Sequence, residues 1–212
     1  MKIIKSLELL LYELMVWFVF YPRTLWLAVT APLKLMDYAD DELDDEDDDR
    51  YSDTLSPPIF LAITLGLIHM IELAASLNVQ SEGVLADDKN LLAFRIVAFS
   101  LFPLMLSLRM LRAQGVTLDR KTLRGPFYAQ CFIVVPFALL IDVASLFLAA
   151  GTLLSLAAGL LVVAGSWYLV VQTLWFRQVL GRGWLGALGH AVRALATALF
   201  LLIVFGLVVA SM

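Results

Sequence analysis

Apolar residues fall along this chain in long unbroken blocks, not in the short stripes or alternations of a water-soluble fold. Five blocks lie at about 57–77, 91–111, 126–150, 152–175 and 194–211. Each approaches or exceeds the ~18–20 residues a helix needs to cross a ~30 Å hydrocarbon layer. Lipid gives backbone groups no water to bond, so a crossing block must be a helix or part of a closed barrel. Barrel strands of ~10 residues would alternate in polarity, and none of these blocks does. The pattern predicts an all-α integral membrane protein with a five-helix transmembrane domain over 57–212.

Ahead of the first block the periodicity changes. Over residues 2–15, Lys2, Lys5, Ser6, Glu8, Tyr12 and Glu13 share one side of a helix. Ile3, Ile4, Leu7, Leu10, Leu11 and Leu14 share the other, which predicts a helix lying in the membrane interface. Residues 16–20 extend its apolar face, Tyr21-Pro22-Arg23 predicts a break, and 24–38 form a second short amphipathic piece interrupted at Pro32. The segment 1–38 therefore reads as cytoplasmic-side interfacial helices. A sixth crossing over 7–31 would have to bury Glu8, Glu13 and Arg23, whose cost weighs against it.

Residues 39–56 read as an acidic linker, with nine acids among positions 40–49 whose repulsion opposes packing. Asp45, Asp47 and Asp49 have the alternation of a calcium loop. The sixth position is Arg50 where such a loop needs glycine, and the twelfth is Ser56 where it needs glutamate. A solvated tether is the better reading.

Composition agrees with the blocks: 61% hydrophobic residues, 16% charged, and a mean hydropathy of +0.88. The net charge of −4 is set by the acidic run, without which the chain would be basic. Basic residues fix the orientation. Lys2, Lys5, Arg23, Lys34 and Arg50 precede the first block, and Arg109, Arg112, Arg120, Lys121 and Arg124 lie between the second and third. Arg177, Arg182 and Arg193 lie between the fourth and fifth, leaving only Lys89 and Arg95 on the other side. Basic flanks mark the cytoplasmic face, so the N-terminus is expected inside and the C-terminus outside. Ten arginines against five lysines, with abundant alanine and leucine, are compatible with a GC-rich bacterium. The lone Cys131 falls within the third block and can form no internal disulfide. No cleavable signal is visible at the N-terminus, so the first block is expected to act as the insertion signal.

Candidate chemistry rests on ionisable residues inside the blocks. Glu72 lies ~22 Å and Asp142 ~24 Å from the cytoplasmic ends of the first and third blocks, and Arg95 ~6 Å below the outer end of the second. All three reach a similar depth in the outer third. His69 sits one turn deeper than Glu72 on the same face, and Ser76 one turn shallower. Charges in lipid face the bundle interior and pair, so Arg95 is expected to bridge Glu72, Asp142 or both. Such a cluster either fixes how the first three helices pack or forms a polar site for a cation, a proton or a lipid headgroup.

No His-Glu-x-x-His, cysteine pair, phosphate loop or Gly-x-Ser-x-Gly elbow occurs, so no catalytic, cofactor-binding or metal-binding residue is expected. Arg109, Arg112, Arg120, Lys121 and Arg124 form a basic patch suited to setting topology or meeting anionic headgroups. Pro103 and Pro136 fall mid-block and predict kinks. Gly151, Ser155 and Gly159 predict one small-residue packing ridge, and Ala187, Ala191, Ala194 and Ala198 another. The blocks show no internal repeat, unlike transporters built from matched halves.

The strings Tyr21-Pro-Arg-Thr-Leu-Trp26, Asp37-Tyr-Ala-Asp40 and Asp53-Thr-Leu-Ser-Pro-Pro-Ile-Phe-Leu61 resemble a group of proteobacterial inner-membrane proteins labelled permeases. More distantly, a cytosolic N-terminal region followed by five spans is similar to the Yip-domain family. Asp53-Thr-Leu-Ser-Pro57 stands where that family has Asp-Leu-x-Gly-Pro. The resemblance implies a non-enzymatic membrane protein that organises or regulates a partner. A small permease or channel subunit is the alternative, needing a continuous polar path from His69, Glu72, Arg95, Gln130, Asp142 and Gln172. A lipid-modifying enzyme comes third. The expected partners are the lipid bilayer and a membrane protein or second copy of the chain, with no nucleic acid.

Overall fold

The computed structural model describes residues 2–44, 51, 53–74 and 83–211. Seven α-helices follow in order: α1 (Lys2–Thr30), α2 (Pro32–Asp44), α3 (Pro57–Ala74), α4 (Asp88–Gln114), α5 (Arg120–Ala149), α6 (Leu154–Leu180) and α7 (Trp184–Ala210). A short 3-10 turn, Gly83–Ala86, leads into α4, and no strand occurs among the described residues. Five helices, α3 to α7, are long and apolar enough to cross a membrane. Each of the five predicted blocks is one of them, and α1 is not.

The last four helices close a ring in which α4 packs on α5, α5 on α6, α6 on α7 and α7 back on α4. Helix α5 also receives α1, α2 and α3 on its remaining faces and is the most buried of the five. Its seam Ala129, Phe132, Ile133, Val135 and Ala138 meets Phe60 and Leu65 of α3 and Leu35, Met36 and Ala39 of α2 in one continuous core. Small residues let α7 approach: Ala187, Ala191, Ala194 and Ala198 are all buried, as their spacing predicted. The other predicted ridge does not pack within the chain. Gly151, Ser155 and Gly159 are exposed, and a Cβ on Gly159 would meet nothing.

Helix ends follow local chemistry. Asp87 caps α4, and Asp119 and Thr122 form a capping box at α5. Gly115, at φ 71°, closes α4 in the left-handed conformation that glycine tolerates best.

The N-terminal region departs from expectation in two places. Helix α1 runs straight through Pro22, so the break predicted at Tyr21-Pro22-Arg23 is absent. Proline removes one helical hydrogen bond there, and tertiary bonds from Tyr21, Arg23 and Thr24 hold the chain on both sides of it. The interruption expected at Pro32 is present: α1 ends at Thr30, and Pro32 takes the first position of α2, where a missing N–H costs nothing. Second, α2 continues to Asp44, so positions 39–44 are helix where the sequence predicts linker. Leu35, Met36 and Ala39 form a buried stripe against α5, with Asp37 bonded to Gln178 of α6 and Asp40 lying against Gly125 of α5. Beyond it, Thr54 and Leu55 are buried as well. Positions 45–50, with the aspartates considered for calcium, lie outside the described residues.

Candidate functional site

Where α3, α4 and α5 meet, the chain gathers His69, Glu72, Arg95 and Asp142. Helix α3 carries His69 and Glu72 on the face it turns inward, one turn apart, and both side chains are buried. Arg95 enters from α4. Its guanidinium donates two hydrogen bonds to Glu72, Nη1 to Oε2 at 2.5 Å and Nη2 to Oε1 at 2.9 Å. This fork-on-fork pairing is the geometry in which arginine holds a carboxylate most firmly. The bridge predicted from depth along three separate helices is therefore present to Glu72. Asp142 is within electrostatic reach of both Arg95 and Glu72 without joining the ion pair. Its Oδ2 is buried with no hydrogen-bond partner among the described residues. His69 lies 3.9 Å from Glu72 through Nδ1, which also lacks a hydrogen bond there. Ser76 lies outside the described residues.

Deeper in the bundle the polar residues do not continue this cluster. Phe102 of α4, Phe137 of α5 and Tyr168 of α6 form an aromatic layer, with Phe137 and Tyr168 stacked at 4.5 Å and Phe102 edge-on to both. Phe137 sits five residues along α5 from Asp142, or ~7.5 Å deeper. Seven residues further, Gln130 pairs with Gln172 of α6. Each amide donates to the other, at 2.8 and 2.7 Å, and both are fully buried. That reciprocal pair satisfies itself and clasps α5 to α6. The six residues expected to line one path thus stand as two polar groups with aromatic rings between them.

The basic patch divides in two. Arg120, Lys121 and Arg124 occupy the first turns of α5, with Arg124 over the Tyr128 ring at 5.4 Å. Arg109 and Arg112 lie on α4 and face α7, where Arg109 Nε donates to Nδ1 of His190 at 3.1 Å. Arg193 and Thr197 of α7 join them around a cavity of about 280 Å³. Neither His190 nor Thr197 stood out in the sequence. The only signal is that Arg109 and Arg193 each lie at the edge of an apolar block.

The N-terminal helices are bonded to the bundle. Arg23 pairs with Asp53 at 2.9 Å, and Tyr38 donates to the other oxygen of that carboxylate at 2.5 Å. Tyr21 and Thr64 share a hydrogen bond at 3.1 Å, and Leu55 N–H donates to Thr24 Oγ1 at 3.3 Å. Glu42 accepts from the Tyr51 backbone, and Gln178 of α6 donates to Asp37. Burial pushes the Tyr38 phenol above its ordinary range, helped by its bond to Asp53. Burial raises Tyr51 likewise, with Tyr128 and Glu42 adding to the effect. In contrast, residues 6–9 and 11–15 of α1 are exposed all round, including Leu7, Leu9, Leu11, Tyr12 and Met15, and Phe18 is 78% exposed.

No family model, curated protein or solved structure matches the chain.

Proposed function

We propose that this chain is a multi-pass inner-membrane protein of Yip-like architecture, non-enzymatic, which organises or regulates a membrane partner through its N-terminal helices. The N-terminus lies in the cytoplasm and the C-terminus outside, because thirteen of the fifteen basic residues then fall on the cytoplasmic side. The observation that carries the reading is the contrast within α1. Its second half is tied to the bundle by Tyr21, Arg23 and Thr24, while its first half projects an uncovered apolar stripe. A contiguous apolar surface of that kind marks a contact with membrane or protein. Photo-crosslinking from Leu11 and Phe18 replaced by benzoylphenylalanine, in cells, tests it. A discrete crosslinked membrane protein is expected, and crosslinks to lipid alone refute the partner. Thiol labelling of Ser211→Cys from the cytoplasm, or of Arg120→Cys from outside, refutes the orientation.

A second reading, a small permease or channel subunit, draws on the surplus carboxylate. Asp142 and His69 each keep a buried atom without a hydrogen bond, and such atoms beside an ion pair suit a proton or cation site. The aromatic layer beneath them weighs against a continuous path. Solute or proton flux into proteoliposomes that is lost in Asp142→Asn would reverse the order of the two readings.

A further inference from the structure

The cavity between the cytoplasmic ends of α4 and α7 holds an electrostatic imbalance. Arg109 and Arg112 of α4 and Arg193 of α7 converge on it, with Thr197 beside them and Met105 and Leu108 forming its apolar wall. Among the described residues, no carboxylate of α4, α6 or α7 lines the recess with these cations. Helices α6 and α7 contain no acidic residue, and the only one in α4 is Asp88, at the opposite end. The connection 181–183 has none, and Asp119 of the α4–α5 connection is committed to the first amides of α5. Asp53 is taken by Arg23, and Asp37 accepts from Gln178. Three like charges lining one recess repel one another, and an anion seated among them relieves that repulsion. Arg109 is held in this arrangement by its bond to His190, whose Nδ1 must be the acceptor because arginine only donates.

We propose that this recess binds the phosphate group of an anionic lipid from the cytoplasmic leaflet, with Arg109, Arg112 and Arg193 as donors and Thr197 as a further one. The inference rests on the reading that α4 and α7 span the membrane. Arg193 directly precedes the apolar stretch 194–210, and Arg109 and Arg112 end the apolar part of α4, so all three lie at headgroup depth. Planar guanidiniums match phosphate oxygens in pairs, and the methionine and leucine wall suits the start of an acyl chain. Basic recesses between helices on this side of a bundle are where anionic headgroups are captured.

Native mass spectrometry of the detergent-solubilised chain, titrated with phosphatidylglycerol, phosphatidylcholine or inorganic phosphate, provides the test. Arg112→Gln/Arg193→Gln is compared with Lys34→Gln/Lys89→Gln, which removes the same charge from exposed positions outside the recess and the basic patch. Phosphatidylglycerol should bind the wild type in preference to phosphatidylcholine, and the first pair should weaken it by ~10-fold or more, the loss of one charged bond or two. The control pair should stay within about twofold of wild type, as expected for a screened surface charge. Inorganic phosphate competing at the same arginines would keep the phosphate site and assign it to a free anion. Equal losses in both pairs, or none, overturn it. Should the first pair misfold, a photoactivatable phosphatidylglycerol on the wild type decides instead: crosslinks in 105–112 and 193–197 support the site, and crosslinks only elsewhere overturn it. Wild type that alkaline carbonate strips from membranes would refute the spanning reading itself, whereas retained protein with unchanged lipid binding refutes only the site.

Discussion

Replacing Arg95 by leucine isolates the energetics of the buried cluster. The substitution deletes both bonds to Glu72, at 2.5 and 2.9 Å, and leaves that carboxylate 4% exposed without its partner. Removing one member of a buried pair costs ~3–5 kcal/mol, while replacing both by apolar residues is near neutral. Arg95→Leu should therefore lose most of that amount, and Glu72→Leu/Arg95→Leu should recover nearly all of it. Glu72→Leu alone should also destabilise, because it leaves the Arg95 guanidinium inside the bundle without its carboxylate. A double-mutant cycle should return a coupling of ~2 kcal/mol or more, well above the error of additivity. The single cysteine supplies the assay: Cys131 is buried, so a thiol-reactive dye reports unfolding in detergent as temperature rises. A double variant as unstable as Arg95→Leu would refute the pairing argument. So would an Arg95→Leu variant of unchanged stability, since Arg95 would then be reaching water rather than Glu72. If stability alone falls and every measured activity is unchanged, the second functional reading falls with it.

Three further outcomes follow from the geometry. Gln130→Leu should cost ~1–3 kcal/mol by stranding the Gln172 amide in the core, and adding Gln172→Leu should restore most of it, both measured with the same thiol assay. Ala191→Leu should overpack the α7 seam and destabilise by ~1–3 kcal/mol, whereas Gly159→Leu, on the open ridge, should stay within ~1 kcal/mol of wild type. Tyr38 and Tyr51 are both raised above the ordinary phenol value of about 10, so the unfolded chain ionises first as pH rises. Their contribution to docking is complete below that value and is lost progressively above it. Protease sensitivity of the α1–α2 region should climb over that alkaline range. Tyr38→Phe should raise it already at neutral pH by removing the bond to Asp53.

Much of this arrangement can be read in the sequence because membranes impose a coarse code. Each of the five long apolar helices coincides with one apolar block, and the meeting of Glu72 with Arg95 follows from counting residues along α3 and α4. What could not be read depends on contacts between distant segments. The acids at 37, 40, 41, 42 and 44 outweigh Leu35, Met36 and Ala39 in any average, so the stripe that seats α2 on α5 looks like part of a charged tether. Pro22 reads as a breaker because its compensation comes from Asp53, Leu55 and Thr64, thirty or more residues away. The recess between α4 and α7 joins residues 81 apart, and its chemistry lies in what is missing from those helices as much as in what they contain.

The central position of α5 bears on how the chain is made. Helices α1, α2 and α3 emerge first, yet the surface on which all three settle is completed only at Ala149. Roughly a hundred residues separate the end of α2 from that point, or about 5–20 s of synthesis. During that interval Leu35, Met36 and Ala39 have no helix to lie against. An amphipathic segment in that state partitions to the bilayer surface, where lipid substitutes for the missing neighbour until α5 arrives. The acids of α2 are costly to bury in hydrocarbon, so they oppose entry of this segment into the lipid core. The same residues that make the N-terminal region look like a tether would then serve, in biogenesis, as a guard against a false first crossing.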